Sequence, residues 1–241
     1  MEKTGSPAAV DDTCRVLIVY YSRFGAIAAL AERIAGGARG VPGTTAELLA
    51  VGAEPLSAPR PGENEEDRRR RQLDLLNRLT RAHAVIAGGP AYFGSLASPL
   101  KRFFEDCATA ETAVLDRSRP WHHYLFRDKV GAAFASSATP HGGNEQALHS
   151  ILTLLMHLGM VVVTPGQRGP ILEHQAAPYG ATAITGASGP HGLSEQEAEE
   201  ARYLGQRVAT FAGWLRAGRH VAAQRQQAQL LTTGTPFDPS A

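Results

Sequence analysis

Four runs of the chain, at 16–21, 84–87, 130–135 and 160–163, are apolar nearly throughout. A strand with one wet face alternates polar and apolar residues. These runs do not, which predicts strands covered on both faces, as in a parallel sheet held between helices. A fifth run, at 45–49, does alternate and fits an edge strand. Amphipathic stripes fall between the runs. Ile27, Leu30, Ala31, Ile34, Ala35 and Ala38 share one helical face, as do Leu148, Ile151, Leu152 and Leu155. Near the end, Ala201, Leu204, Val208, Phe211 and Leu215 repeat the pattern, and Ser194 and Glu197 stand before them at capping-box spacing.

Strands alternating with helices predict repeated right-handed βαβ units. Five strands and five helices make one doubly wound α/β domain over 15–217, with helices on both faces and strand order 2-1-3-4-5. Residues 1–14 are expected to be a flexible lead-in and 218–241 a poorly ordered tail. Two connections, 109–128 and 164–193, are long enough to suggest function rather than filler.

Composition narrows the functional classes. Of 241 residues 20% are charged and the net charge is +1, which gives no electrostatic case for nucleic acid or an anionic membrane as partner. The two cysteines, Cys14 and Cys107, form no CxxC pair and read as free thiols. The N-terminus lacks a signal-peptide pattern and no apolar run reaches the ~20 residues that span a bilayer, so a cytoplasmic location is expected. Within 63–71, Glu65 with Arg69, Glu66 with Arg70 and Asp67 with Arg71 stand at i to i+4, which reads as a solvated helix start. His122 and His123 have no third ligand at helpful spacing, so no metal site is expected.

The first strand runs directly into Ser22, Arg23, Phe24, Gly25, Ala26 and Ile27, which open the first helix. Unpaired N–H groups at such a terminus suit an anion, and Gly25 permits close backbone approach. The motifs GxxxxGK[ST] and GxGxxG are both absent. A monophosphate fits the loop; a plain turn capped by Ser22 fits it as well.

Three further segments are 89–95 (Gly-Pro-Ala-Tyr-Phe-Gly-Ser), 136–145 (Ser-Ser-Ala-Thr-Pro-His-Gly-Gly-Asn-Glu) and 178–182 (Pro-Tyr-Gly-Ala-Thr). With 20–25 they resemble, in order and spacing, the WrbA family of flavodoxin-like NAD(P)H:quinone oxidoreductases. The likeness extends through 101–106, 157–160 and 201–205, and covers most of the chain from about Arg15 to Leu215. It implies an FMN-binding, flavodoxin-like enzyme that takes electrons from NADH or NADPH, assembled as a homotetramer or homodimer.

By that resemblance Ser22, Arg23, Phe24, Gly25, Ala26 and Ile27 hold the FMN phosphate. Pro90, Ala91, Tyr92, Phe93 and Gly94 line one side of the flavin ring. Ser136, Ser137, Ala138, Thr139, Pro140, His141, Gly142 and Gly143 run along its other edge, and Leu158 falls at a ring-proximal position. Phe24, Trp121, His141 and Tyr179 belong to the pocket for nicotinamide and acceptor. Two features depart from the family. Ala91-Tyr92-Phe93 stands where Thr-Arg-Phe is common, and His157-Leu158 replaces a His-His pair. A guanidinium and an imidazole are thereby missing near the flavin, which bears on its potential and on the choice of acceptor.

The residues read the same way without the family. Loops following apolar strands gather at the carboxyl edge of the sheet, where open α/β folds bind ligands. Tyr92, Phe93 and Trp121 offer stacking surface there. The expected reaction passes two electrons from NAD(P)H to a quinone or related aromatic acceptor by ping-pong turnover, with the flavin carrying the chemistry and no side chain acting as nucleophile. The alternatives are a flavodoxin-type electron carrier or FMN-binding partner without turnover of its own, and a specialised reductase of a polycyclic aromatic intermediate.

Overall fold

The expected strands form and pair in the expected order. In the computed structural model, which describes residues 13–110, 125–167, 178–186 and 192–233, β1 (Cys14–Tyr20) lies parallel between β2 (Thr44–Ala50) and β3 (Ala84–Tyr92). β3 pairs with β5 (Val130–Ser137), and β5 with β6 (Val161–Val162). A short strand β4 (Ser95–Leu96) turns back antiparallel on β3.

Alternation along each central strand divides the core in two. Leu17, Val19, Val85, Ala133 and Ala135 face α2 (Glu65–Arg81), α3 (Ser98–Ala110) and α4 (Asn144–His157). Val16, Ile18, Ile86, Ala132 and Phe134 face α1 (Ala26–Arg39) and α5 (Glu195–Thr233). The stripes read from the sequence are the buried faces: Ile27, Leu30, Ile34, Leu148, Ile151, Leu204 and Val208 are all at most 2% exposed. Phe211 and Leu215 are partly buried at the margin of the same core.

α1 and α5 approach through glycine. A Cβ placed on Gly37 would sit 1.8 Å from the Arg202 carbonyl oxygen, and one on Gly205 would sit 1.9 Å from that of Ile34. Neither helix backbone can come this close beside any other residue. At its start α5 carries the expected capping box: Ser194 Oγ accepts from Glu197 N–H, and Glu197 Oε2 accepts from Ser194 N–H at 2.8 Å.

Three differences from expectation have local causes. The connection 164–193 contains a further strand, β7 (Ala181–Ile184), which pairs with the second half of β5 while β6 pairs with the first. The fifth strand position is thus filled by two short strands with 163–180 inserted between them. β7 is four residues of Ala, Thr, Ala and Ile, too short and too weakly apolar to stand out by periodicity. At the other end of the domain, α5 does not stop before residue 218 but runs to Thr233. The Ala- and Gln-rich composition that reads as a tail is also good helix-forming composition.

The third difference lies in the charged segment. Only Glu66–Arg70 (3.0 Å) forms of the three i to i+4 pairs. Arg68 pairs with Glu65 and Arg70 also lies near Asp67. Arg71 turns inward to Glu63, with bonds of 2.7 and 2.9 Å, and donates to the carbonyls of Leu56 and Ala58. Together they clamp the loop between β2 and α2. The hydrogen bonds from Arg71 hold the Glu63 carboxyl down to about 2. A depressed carboxyl stabilises above its unfolded pKa and loses that contribution as pH falls towards about 2.

Lys129, at the amino edge of β5, caps α2 by donating to the carbonyls of Leu79 and Thr80. Burial, with Arg219 nearby, pushes its ammonium down to about 8 from 10.5. Between those values the unfolded chain binds more protons than the folded one, so stability rises with pH across that window. Urea midpoints at pH 8 and pH 10 are expected to increase in the wild type, with a smaller increase in Lys129→Met.

Candidate functional site

The carboxyl ends of β1, β3, β5 and β7 open into one cleft of about 530 Å³. Its lining is Ser22, Arg23, Phe24, Ala26 and Ile27 from the β1–α1 turn, Pro90, Ala91 and Tyr92 from β3, Ser136, Ser137 and Ala138 from β5, and Thr185 and Gly186 after β7.

The β1–α1 turn is both a cap and a cradle. Ser22 Oγ accepts from the N–H groups of Gly25 (3.2 Å) and Ala28 (3.3 Å), which fixes the turn. Gly25, the N-cap, has φ +99, and nothing lies within 4 Å of where its Cβ would be. The N–H groups of Phe24, Ala26 and Ile27 have no acceptor among the described residues. They stand at the positive end of a 14-residue helix and open to the cleft. A phosphate monoester fits this donor set.

The other walls are tied to one another. β3 and β4 turn through Phe93 (φ +50) and Gly94 (φ +72), two left-handed residues in succession, as a two-residue hairpin requires. That geometry leaves Phe93 fully exposed at the rim instead of in the lining. Gly143 (φ +93) meets this hairpin back to back, because its Cβ would lie 2.7 Å from Gly94 Cα. In the β5 loop, Ser137 Oγ donates to the Thr139 carbonyl (2.7 Å) and Gly142 N–H donates to the same oxygen (2.9 Å). Thr185 closes the far side by donating its N–H and hydroxyl to the Ser137 carbonyl.

Tyr92 has a buried hydroxyl without a partner among the described residues. The residue lines the cleft, and its hydroxyl is an unspent donor. A cradle of N–H groups, a cleft flanked by small residues and an unspent phenol suit a phosphorylated planar ring.

Most of the residues expected at the site are therefore gathered there. Thr139, Pro140, His141, Gly142 and Gly143 form the turn behind the lining, with His141 exposed. Besides Phe93 at the rim, Leu158 and Tyr179 stay out of the lining. Leu158, at the C-cap of α4, packs on the α2–α4 core and lines a groove between α3 and α4. Tyr179 lies before β7 with its ring 4.7 Å from that of His149, beside α4 and outside the cleft lining. Trp121 lies outside the described residues. Thr185 and Gly186 join the lining by way of β7, the strand that periodicity does not reveal.

The comparisons with known proteins agree with this geometry. Residues 21–169 match the family model of NADPH-dependent FMN reductase. An NAD(P)H dehydrogenase (quinone) of Chromohalobacter salexigens is 36% identical over 83% of this chain and 98% of its own length. One of Solidesulfovibrio magneticus is 35% identical over 84% and 99%. Among solved structures, the flavodoxin, WrbA-like protein from Agrobacterium tumefaciens superposes with a TM-score of 0.55 at 25% identity, over 83% of this chain and 98% of that one. The chain belongs to the NADPH-dependent FMN reductase family, as a flavodoxin-like, FMN-dependent NAD(P)H oxidoreductase of the WrbA type.

Proposed function

We propose that this protein is an NAD(P)H:quinone oxidoreductase that reduces a quinone or related aromatic acceptor by two electrons in ping-pong turnover. The observation that carries the reading is the convergence of the three loops and the end of β7 on a single cleft. Bound FMN supplies the redox centre that takes a hydride from the donor and returns two electrons to the acceptor, which becomes a hydroquinone with two protons.

The chain's own part is placement. The N–H groups of Phe24, Ala26 and Ile27, with the Ser22 turn behind them, hold the phosphate. Backbone from Pro90 to Tyr92 and from Ser136 to Ala138 would flank the ring, and the unspent Tyr92 hydroxyl would serve as a donor to the bound group. Phe24, 64% exposed at the lip, offers a stacking face to the nicotinamide. One mouth serves donor and acceptor, so each must leave before the other enters. Initial rates at several fixed acceptor concentrations are expected to give parallel double-reciprocal lines, and intersecting lines exclude this cycle.

Arg23 is the one charged side chain among the described residues that line the cleft, and its guanidinium lies 5.1 Å from the centroid of the Phe24 ring. A nicotinamide dinucleotide carries phosphates and a quinone does not. Arg23→Gln is expected to raise the KM for NAD(P)H about tenfold, the worth of one charged hydrogen bond, and to leave that for the quinone within twofold. Equal rises for both substrates would remove Arg23 from donor selection.

The resemblance also implies a homotetramer or homodimer, and the lack of a signal-peptide pattern in the sequence points to a cytoplasmic location. Among the described residues no helix is long and apolar enough to cross a membrane. Sedimentation at low concentration checks the assembly, and a persistent monomer contradicts it.

A further inference from the structure

A second cavity opens at the same edge of the sheet as the flavin cleft. Its volume is about 470 Å³, and it is bounded by the loop from β2 to α2, one face of α2 and the first turns of α3. Leu49, Val51, Leu56 and Leu75, with Pro55 and Pro59, supply apolar wall. The loop is fixed from several sides. Asp106 accepts from the Leu56 N–H at 2.8 Å, Arg102 donates to the Ala53 carbonyl, and Arg71 holds the carbonyls of Leu56 and Ala58. The two linings are neighbours. Ala50, in the cavity, is the register partner of Tyr20, which Ser22, in the cleft, follows by two residues. At about 4.8 Å between strands and about 3.3 Å per residue, these backbones lie on the order of 8 Å apart.

The polar groups of the cavity are balanced. Arg60, Arg71 and Arg78 line it together with Glu54, Asp74 and Asp106, so it favours neither a bare anion nor a bare cation. Arg71 and Asp106 are spent on the loop. Asp74 makes no hydrogen bond or ion pair among the described residues. Arg78 stands one helical turn further on, yet it turns to Glu47 (2.6 Å), and its Nε has no partner among the described residues. An unspent acceptor and an unspent donor therefore share one face of α2 with an apolar wall. A flat, neutral heterocycle that carries a donor beside an acceptor matches this pair, and adenine, with an amino group next to a ring nitrogen, is such a ring. The reaction has a use for it. The flavin cleft, about 530 Å³, has to hold FMN together with the nicotinamide, which leaves the adenosine half of the donor outside that cleft.

We propose that this cavity receives the adenosine half of NAD(P)H, with Asp74 and Arg78 recognising the base. The proposal rests on the donor of the reading above, not on its acceptor or its order of turnover. Two measurements on the FMN-loaded full chain test it without a quinone. One is calorimetric binding of 5′-AMP. The other is anaerobic bleaching of the bound flavin by NADH and by reduced nicotinamide mononucleotide, which lacks the adenosine half. Asp74→Ala removes an exposed group without a partner among the described residues, and Ala53→Trp fills the cavity from its exposed rim. Glu32→Ala, on α1 across the sheet, is the control. The wild type and the control are expected to bind 5′-AMP, Asp74→Ala to bind it about tenfold more weakly, and Ala53→Trp not to bind it. The NADH concentration for half-maximal bleaching rises about tenfold in Asp74→Ala at an unchanged limiting rate. The mononucleotide bleaches every variant alike. The proposal is overturned if 5′-AMP does not bind the wild type, or if both cavity variants bind it as the control does. It is overturned if they lose 5′-AMP but respond to NADH like wild type, which makes the cavity a site for a free nucleotide. Equal losses with the mononucleotide overturn it too, because they place the effect at the flavin. A failed quinone assay moves none of these readouts, so the two failures are distinguishable.

Discussion

Gly205→Ala is expected to lower the unfolding free energy by about 2–3 kcal/mol, read from urea unfolding. The new methyl group would point at the Ile34 carbonyl oxygen from 1.9 Å, a separation no packing tolerates. The opposing atom is backbone in the middle of α1, so it cannot rotate away, and the helices must part. Overpacking a core typically costs about 1–3 kcal/mol, occasionally more, and a rigid backbone contact belongs at the top of that range. Alanine returns up to ~1 kcal/mol through helix propensity. Gly37→Ala, which meets the Arg202 carbonyl at 1.8 Å, is expected to behave alike. The double variant should lose less than the sum, because helices pushed apart by one methyl group already make room for the other. A Gly205→Ala protein as stable as wild type would mean that α1 and α5 cross at a greater distance.

Gly25→Val is expected to yield a folded but colourless protein, with the dissociation constant for FMN raised about a hundredfold or more. Gly25 holds φ +99, a region that costs an L-residue roughly 1–2 kcal/mol and a β-branched one more. The turn relieves the strain by rotating, and the N–H groups of Ala26 and Ile27 rotate with it. Each hydrogen bond to a charged group contributes about 1.5–3 kcal/mol, so misplacing one or two accounts for the expected loss. Own-chain crowding is not the cause, since the space around the Cβ position is open. Gly25→Ala should therefore show a smaller effect in the same direction. Flavin fluorescence titration separates the variants, and thermal unfolding confirms the fold. Unchanged affinity in Gly25→Val would remove this turn from the phosphate site.

Much of the fold was legible in the sequence for a simple reason. A strand covered on both faces has no polar side, and a helix packed on a sheet has one apolar stripe. Both patterns are written directly in runs such as 84–87 and in Ile27 to Ala38. The loops that follow such strands must lie at one edge of the sheet, which is why Ser22 to Ile27, Pro90 to Tyr92 and Ser136 to Ala138 meet in one cleft. Phe93 shows the limit of that reasoning. It is an aromatic residue beside the cleft, and only the left-handed hairpin geometry turns it fully outward. Likewise the i to i+4 spacing predicted a partner for Arg71 on its own helix, whereas a more buried carboxylate, Glu63, was within reach through the fold.

The class of fold, the order of its central strands, the buried faces and the three turns that line the cleft are all written in the local pattern of residues. All of these follow from local periodicity and chain direction. Tertiary structure alone decided that β7 completes the edge of the sheet beside β5, that Thr185 closes the cleft, and that Leu158 and Tyr179 stand outside its lining. It also decided that α1 and α5 touch backbone to backbone at Gly37 and Gly205. These depend on distances between segments far apart in the chain, set by packing that no local pattern encodes.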